Sequence, residues 1–517
     1  CTAGGGGGGD GDGDGADAGP PRAGGTLRVG IVRVSSLDPA QARTVDQLLV
    51  ADQLFDSLSA YDLATLEPVP SIASRWEASA DQRNWTFFLR PDATFSNGRA
   101  ITGADVKYTL ERIAAKGSGS GVTDLLELVS GYRQVNEGRV AQLSGVTVPA
   151  PDQVRISLDQ PWSVLPAVLG NPAFGIVPRE SVEAADPGFA TLPAGSGPFM
   201  VKGRSAVNIG LARAPGSKAL LEAVEFVVYD SVAVSYRAFA EGKLDWSQLP
   251  AEQVDPAGAG PNPPRGAQRS ATPFLAELFY GFNLRNPKYA DIRFREAIIR
   301  AVNRQAIIAA VYGTTVRPID GILVEGVPGR VADVCGERCR YDPGRARELV
   351  AEAFAGRAVP EVVIDFDDDQ PQAAVARALK ANLAEVGIPA ALRGRSSVAY
   401  DLHLTSGDQE LFRLGWFGAY PSADAFLPAL FAGGSPSNLT GFRLAAVDDK
   451  LKAARSERDA GRRQAIYQEV ERTIIEQLPV LPIAQFESHA IATRQVRDLA
   501  VTANGTFDAS RVWLASG

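Results

Sequence analysis

An α/β protein with more than one core is predicted, on three observations. Strand-like runs rich in Val, Ile and Phe are interspersed with helical patterns, most clearly after residue 341, where helix, strand, helix and strand follow in turn. The chain has 517 residues, enough for two or three cores rather than one. After residue 25 no linker composition divides it, so its lobes must be interleaved in sequence rather than strung like beads.

The elements follow in order. Thr26 to Val32 is short, β-rich and bounded by Gly24 and Gly25, which reads as a buried strand. RTVDQLLVADQLFDSLSAYD reads as a helix with Leu48, Leu49, Leu54, Phe55 and Leu58 on its apolar side. Asn84 to Arg90 is strand-like. GADVKYTLERIAA is helical, with Val106, Leu110 and Ile113 in line. Ala223 to Tyr229 is a strong strand. After Asp230 a helix runs through Tyr236 and Phe239 and closes at Gly242. Asp291 to Tyr312 reads as one long helix carrying Phe294, Ile298, Val302 and Ile308, ended by Gly313. Asp342-Pro343 is an N-cap with proline at the first helical position, opening a helix through Leu349, Val350 and Phe354. Glu361 to Phe366 is a strand, Pro371 to Val386 a helix ended by Gly387, and Ile388 to Leu392 the next strand. That βαβ unit should be parallel. The acidic run Asp367 to Asp369 complements the dipole of its helix. DAGRRQAIYQEVERTIIEQLP is an amphipathic helix, with Ile466, Val470 and Ile474 in line, stopped before Pro479.

Charge and motifs exclude several functions. Net charge is −8, which argues against a nucleic-acid partner. No apolar run approaches the roughly 20 residues of a membrane span. No phosphate loop, nucleophile elbow or HExxH pair occurs. The two histidines, His403 and His489, are far apart, so no His-dependent nucleophile or metal site is expected, and no cofactor. A carboxylate pair for glycoside hydrolysis stays open, given 60 acidic residues. A binder is favoured over an enzyme.

The chain begins CTAGGGGGGDGDGDGADAGP. Its only methionine is Met200. A start on Cys is expected to mark the mature end of a bacterial lipoprotein, lipidated at Cys1. Residues 1–25, rich in Gly and Asp, would be a disordered tether with a span of roughly 25–30 Å. The membrane would then be met through the lipid alone. The other cysteines, Cys335 and Cys339, are expected to pair in that oxidising setting.

The block LEPVPSIASRWEASADQRNWTFFLRPDATFSNGRAITGADVKYTLERI resembles the signature of the family 5 extracytoplasmic solute-binding proteins, the oligopeptide, dipeptide and nickel receptors of ABC importers. The matching positions are Ala73, Trp76, Thr86, Phe88, Leu89, Arg90, Phe95, Gly98, Ala104, Asp105 and Val106. AGSGPF at 194–199, FYGFNLRNPKYADIRFREAI from Phe279, YDPGRARELV, GWFGAYPSADAFLPALF and ERTIIEQLPVLPI continue it in the family's order.

The resemblance implies a bilobed periplasmic-binding-protein-like fold (type II, cluster C) with mixed sheets, a hinge and an extra small domain. Lobe I would be 26–58, 176–268 and 487–517. The small domain would be 59–175, and lobe III 269–486. It implies a monomer that captures a peptide-like solute by clamshell closure and delivers it to an ABC permease outside the cytoplasm. The alternatives are a receptor for an oligosaccharide or another non-peptide solute, a secreted hydrolase, and an interaction protein that has lost its ligand.

The same resemblance points to ligand contacts. Gly415, Trp416 and Phe417 would offer main-chain groups to an extended ligand. Arg413 would pair a ligand carboxylate. Thr44 and Val45 would face the ligand after Leu37-Asp38-Pro39, with Tyr108 a weaker candidate. Peptide binders read G-W-x-x-D-Y, where the aspartate meets the ligand's ammonium. Here Ala419 stands in that place, before Tyr420, and Asp424 is the nearest acid expected to substitute.

Overall fold

A computed structural model describes residues 20–184, 188–255 and 262–516. The expected lipidation at Cys1, and most of the expected tether, lie outside the described residues.

One sheet of eleven strands runs through the molecule. Five of its strands matter most: β1 (Thr26–Val32), β2 (Gln268–Phe282), β3 (Val362–Asp367), β4 (Leu411–Phe417) and β5 (Val480–Ala492). The order is Ala390–Arg395, β3, β4, β2, β5, Trp246–Gln248, β1, Ala223–Tyr229, Asn208–Arg213 and Phe199–Arg204. Val316–Pro318 adds to β5 off this path. β1 is parallel to Ala223–Tyr229 along its full length, and its Leu27, Val29 and Ile31 are buried.

The expected βαβ unit is present. β3 pairs in parallel with Ala390–Arg395, and the helix Gln370–Glu385 connects them. The second strand starts two residues later than expected. Gly387 ends the helix at φ 79°, Ile388 donates back to the carbonyl of Leu383, and Pro389 has no N–H to give a ladder.

The segment 291–312, expected as one helix, is two: Ile292–Ala301 and Arg304–Val311. Val302 is extended, and the Asn303 side chain accepts from the N–H of Ala306. A strong N-cap thus outweighs continuous apolar spacing. The helix α1 (Val45–Leu54) is shorter than its sequence pattern. It opens with a capping box between Thr44 and Gln47 and stops at Phe55, which is extended.

β2 and β5 are the connection between the two halves of the sheet. They pair antiparallel from Gln268 opposite Ala492 to Gly281 opposite Val480. Their register shifts between Pro273 and Glu277. There the Gln485 amide donates to the carbonyls of Phe274 and Glu325 and its oxygen accepts from the N–H of Glu325.

A separate four-stranded sheet, in the order Ala73–Ala78, Asn84–Leu89, Gln153–Ser157, Val146–Ala150, forms a small extra domain with the helix Gly103–Ala114. Its apolar core is continuous with that around β2 and β4, whereas β1, α1 and Ala223–Tyr229 enclose a second core. Cys335 and Cys339 form a disulfide with Cα atoms 5.6 Å apart.

Candidate functional site

β4 leaves one edge uncovered. β3 pairs with it only at Leu411 and Phe412, while β2 pairs with it from Leu411 to Phe417. In an antiparallel pair, alternate residues direct both main-chain groups to the partner. The N–H of Gly418 donates to Leu275, so Trp416 and Leu414 also face β2. Arg413, Gly415 and Phe417 therefore turn their N–H and C=O groups to the other edge. At Arg413 that edge is already partly used, since the Tyr400 hydroxyl donates to its carbonyl at 2.7 Å.

The side chains of Arg413 and Phe417, with the bare α-carbon of Gly415 between them, share one face with Tyr280, Leu278 and Ala276. Phe417 is 40% exposed and packs its ring 5.4 Å from that of Phe274. Arg413 Nη1 lies 3.6 Å from Asp367 Oδ1. The Arg413 Nε, Asp367 Oδ1 and Tyr280 hydroxyl are buried without hydrogen-bond partners among the described residues. Burial raises the Tyr280 phenol, opposed by the Arg413 charge. The acidic run is thus divided: Asp369 caps its helix as expected, whereas Asp367 ends β3 and faces Arg413. Among the described residues no group of three or more His, Cys, Asp or Glu is placed to hold a metal ion.

Trp416 lies on the opposite face of β4. Its indole donates to the carbonyl of Ala425 at 2.8 Å and its ring packs into the core. Only its main chain could serve a ligand, and that already faces β2.

Two of the expected contacts are structural instead. The Asp424 carboxylate is buried and accepts from Arg455 Nε at 2.8 Å, the Trp162 indole at 2.8 Å, the Tyr420 hydroxyl at 3.0 Å and the Tyr467 hydroxyl at 2.6 Å. Desolvation opposes its ionisation, but Arg455 and these donors outweigh that and hold its carboxyl below the ordinary value. It has no capacity left for a ligand ammonium. Tyr420 is buried with its hydroxyl committed to Asp424. These expectations are corrected for the same reason: a fully satisfied ion pair, not a cleft, surrounds both residues.

Thr44 is exposed and its hydroxyl accepts from the Gln47 N–H at 3.3 Å. Val45 is half-buried beside Gly505, where an added Cβ would come within 2.7 Å of Val45 and 3.1 Å of Phe274. Gly505 also has φ 78°, so that turn depends on glycine. Val45, Gly505, Phe274 and Phe417 thus form a chain of contacts, linking the start of α1 to the end of β4. Tyr108 instead packs under Arg179 and against the β1 core. Phe274, Asp367, Tyr400 and Gly505 escaped sequence reading.

The family described as bacterial extracellular solute-binding proteins, family 5 Middle, matches residues 67–438, and the chain belongs to it. That family consists of non-catalytic solute-binding proteins that act outside the cytoplasm. The periplasmic murein peptide-binding protein MppA of Escherichia coli (strain K12) is 26% identical over 474 residues, covering 87% of this chain and 86% of that protein. The dipeptide-binding protein DppE of Bacillus subtilis (strain 168) is 22% identical over 462 residues, covering 84% and 81%. The unliganded open form of MppA superposes with a TM-score of 0.82 at 21% identity, covering 95% of this chain and 98% of that one. That likeness shows the mixed α/β fold with its extra small domain.

Proposed function

We propose that the chain captures an extended peptide between its two halves and delivers it to an ABC permease. The carrying observation is the uncovered edge of β4, where Gly415 and Phe417 present main-chain groups to a strand that would be added from outside. Such a contact reads the ligand's backbone and tolerates its side chains. The names of the relatives, a murein peptide binder and a dipeptide binder, support the same ligand class.

Gly415 adds a second support. Its φ is not in the left-handed region, and an added Cβ would meet only Arg413 at 3.4 Å and the Glu277 carbonyl at 3.5 Å, both ordinary contacts. The chain's own packing therefore does not require glycine there. A bare strand beside a guanidinium suits a ligand that lies close and ends in a carboxylate. Arg413 would pair that carboxylate in competition with Asp367. Val45 and Phe417 would close over the ligand as β2 and β5 bend at their register shift. Thr44 would flank it.

The reading includes a monomeric receptor anchored by lipid on Cys1. Metabolic labelling with palmitate checks that anchor independently of peptide binding. The main test is calorimetric titration with alanine tri-, tetra- and pentapeptides. One peptide per chain with a Kd of about 1 μM or tighter is expected. No heat and no thermal shift with any of them would overturn the peptide reading.

A further inference from the structure

A cavity of about 650 Å3 lies between α1 with the C-terminal segment on one side and the small domain on the other. Asp52, in the last turn of α1, and Asp56, just past its extended end, line it together with Asp508. Arg90 lies 3.9 Å from Asp56, and Arg511 3.5 Å from Asp508. Asp52 has no ion-pair partner among the described residues; a hydrogen bond with Thr506 is its support. Desolvation, and then repulsion from Asp508, push its carboxyl up to about 8, while desolvation holds Asp56 up at about 6. Asp92 and Lys218 are the remaining charged residues of the lining.

Asn504 lines the same cavity. It is 6% exposed, and its Oδ1 has no hydrogen-bond partner among the described residues. An unsatisfied amide oxygen costs free energy unless a donor meets it. An unpaired carboxylate and an orphan acceptor in one cavity call for a group that is cationic and rich in donors.

The cavity adjoins position 419. Asn171 Nδ2 donates to the Ala419 carbonyl at 2.8 Å, and its neighbours Gly170 and Pro172 line the cavity. Gly505, between the lining residues Asn504 and Thr506, touches Val45 and Phe274. Asn171 thus links position 419 to the wall of the cavity that Asp52 lines.

We propose that this cavity receives an alkylammonium group, with Asp52 as its counter-ion and Asn504 Oδ1 as a second acceptor. Resting on the peptide reading, the group is the ligand's N-terminus; a free amine would be held by the same chemistry. Binding ionises Asp52 and releases its proton to solvent. Asp52→Asn keeps the shape of the side chain and an acceptor for Thr506, so it should leave the fold intact.

The experiment compares tetraalanine, N-acetyl-tetraalanine and 1,4-diaminobutane on the full chain, by calorimetry in two buffers of different ionisation enthalpy at pH 7 and by thermal shift. The wild type is expected to prefer the free amine over the acetylated peptide by at least about tenfold, with a buffer-dependent heat. In Asp52→Asn that preference should fall below about threefold and the buffer dependence should vanish, with the acetylated peptide bound as before. If diaminobutane alone stabilises the wild type and not Asp52→Asn, the site stands with a free amine as its occupant. If no peptide binds, the peptide reading falls and the diaminobutane comparison decides. Should Asp52→Asn fail to fold, Asn504→Ala takes its place, with an expected loss of about threefold or more in the same preference. An amine preference and a diaminobutane response unchanged by both substitutions, or absent from the wild type, would overturn the proposal.

Discussion

Asp424 and Ala419 are separated by five positions and have opposite lessons. Asp424 was the acid nearest to hand in sequence, yet it sits at 0% side-chain exposure, held by Arg455, Trp162, Tyr420 and Tyr467. Removing one partner of such a pair leaves a buried charge, at a cost of about 3–5 kcal/mol. Asp424→Asn is therefore expected to unfold in urea with a stability lower by about that amount. Because the folded state holds this carboxyl low, its contribution is complete above the unfolded carboxyl value and is lost as pH falls through the folded one. Gly415→Ala makes the contrasting case. Stability should stay within about 0.5 kcal/mol, while peptide affinity falls at least about tenfold because the added methyl stands on the bare strand. A loss of stability with affinity retained would make Gly415 a folding residue. Sequence alone placed Arg413, Gly415 and Trp416 on one strand, which is β4. It could not separate Trp416, whose indole is spent on Ala425, from its neighbours, because a side chain's face depends on strand register.

Most single elements were legible. β1, β3, Ala223–Tyr229 and the helices Gly103–Ala114 and Pro343–Phe354 lie where periodicity and capping put them. The pattern failed where two signals competed, as at Asn303, whose cap splits an otherwise continuous apolar stripe. It also failed for β2, whose 15 residues pass from an exposed end to a buried one and so show no single period. That strand carries one member of an unusual pair, and the helix Ala460–Glu476 the other. Glu277, at its register shift, and Glu471 are both buried, and each has an oxygen without a partner. Desolvation pushes Glu471 up to about 7 and Glu277 well above its ordinary value, each further raised by neighbouring acids. A folded value above the unfolded one means the native state binds more protons. Stability should then decline as pH rises from about 4.5 toward 7, by roughly 2–4 kcal/mol for Glu471 alone. Glu471→Gln keeps an acceptor for the Ile322 and Leu323 amides and should flatten that decline in urea unfolding at several pH values. An unchanged slope would mean that the pair is not titrating in this window. Gln485 holds the same shift by bonding Phe274. Gln485→Ala is expected to make closure easier to reach and opening faster, read as a raised rate of peptide release.

At the scale of the molecule, interleaving follows from two strands. β2 and β5 enter one half of the sheet and leave in the other, so each half is assembled from separated segments. The absence of any linker composition after residue 25 foretold interleaving, but not which strands would be shared. The small domain is joined to the β4 side by Trp162 on Asp424 and Asn171 on Ala419, and to the α1 side by Arg112 on Asp38. The proposed closure would bend the sheet at the β2–β5 shift, and peptide should then produce a fall in the radius of gyration in small-angle scattering. The most direct test of the central claim is residue-resolved hydrogen exchange at β4 with and without saturating tetraalanine. The Gly415 and Phe417 amides should gain protection on binding, while Trp416, already bonded to β2, should change little. Equal exchange at Gly415 and Phe417 in the two states, with peptide demonstrably bound, would contradict capture by strand addition.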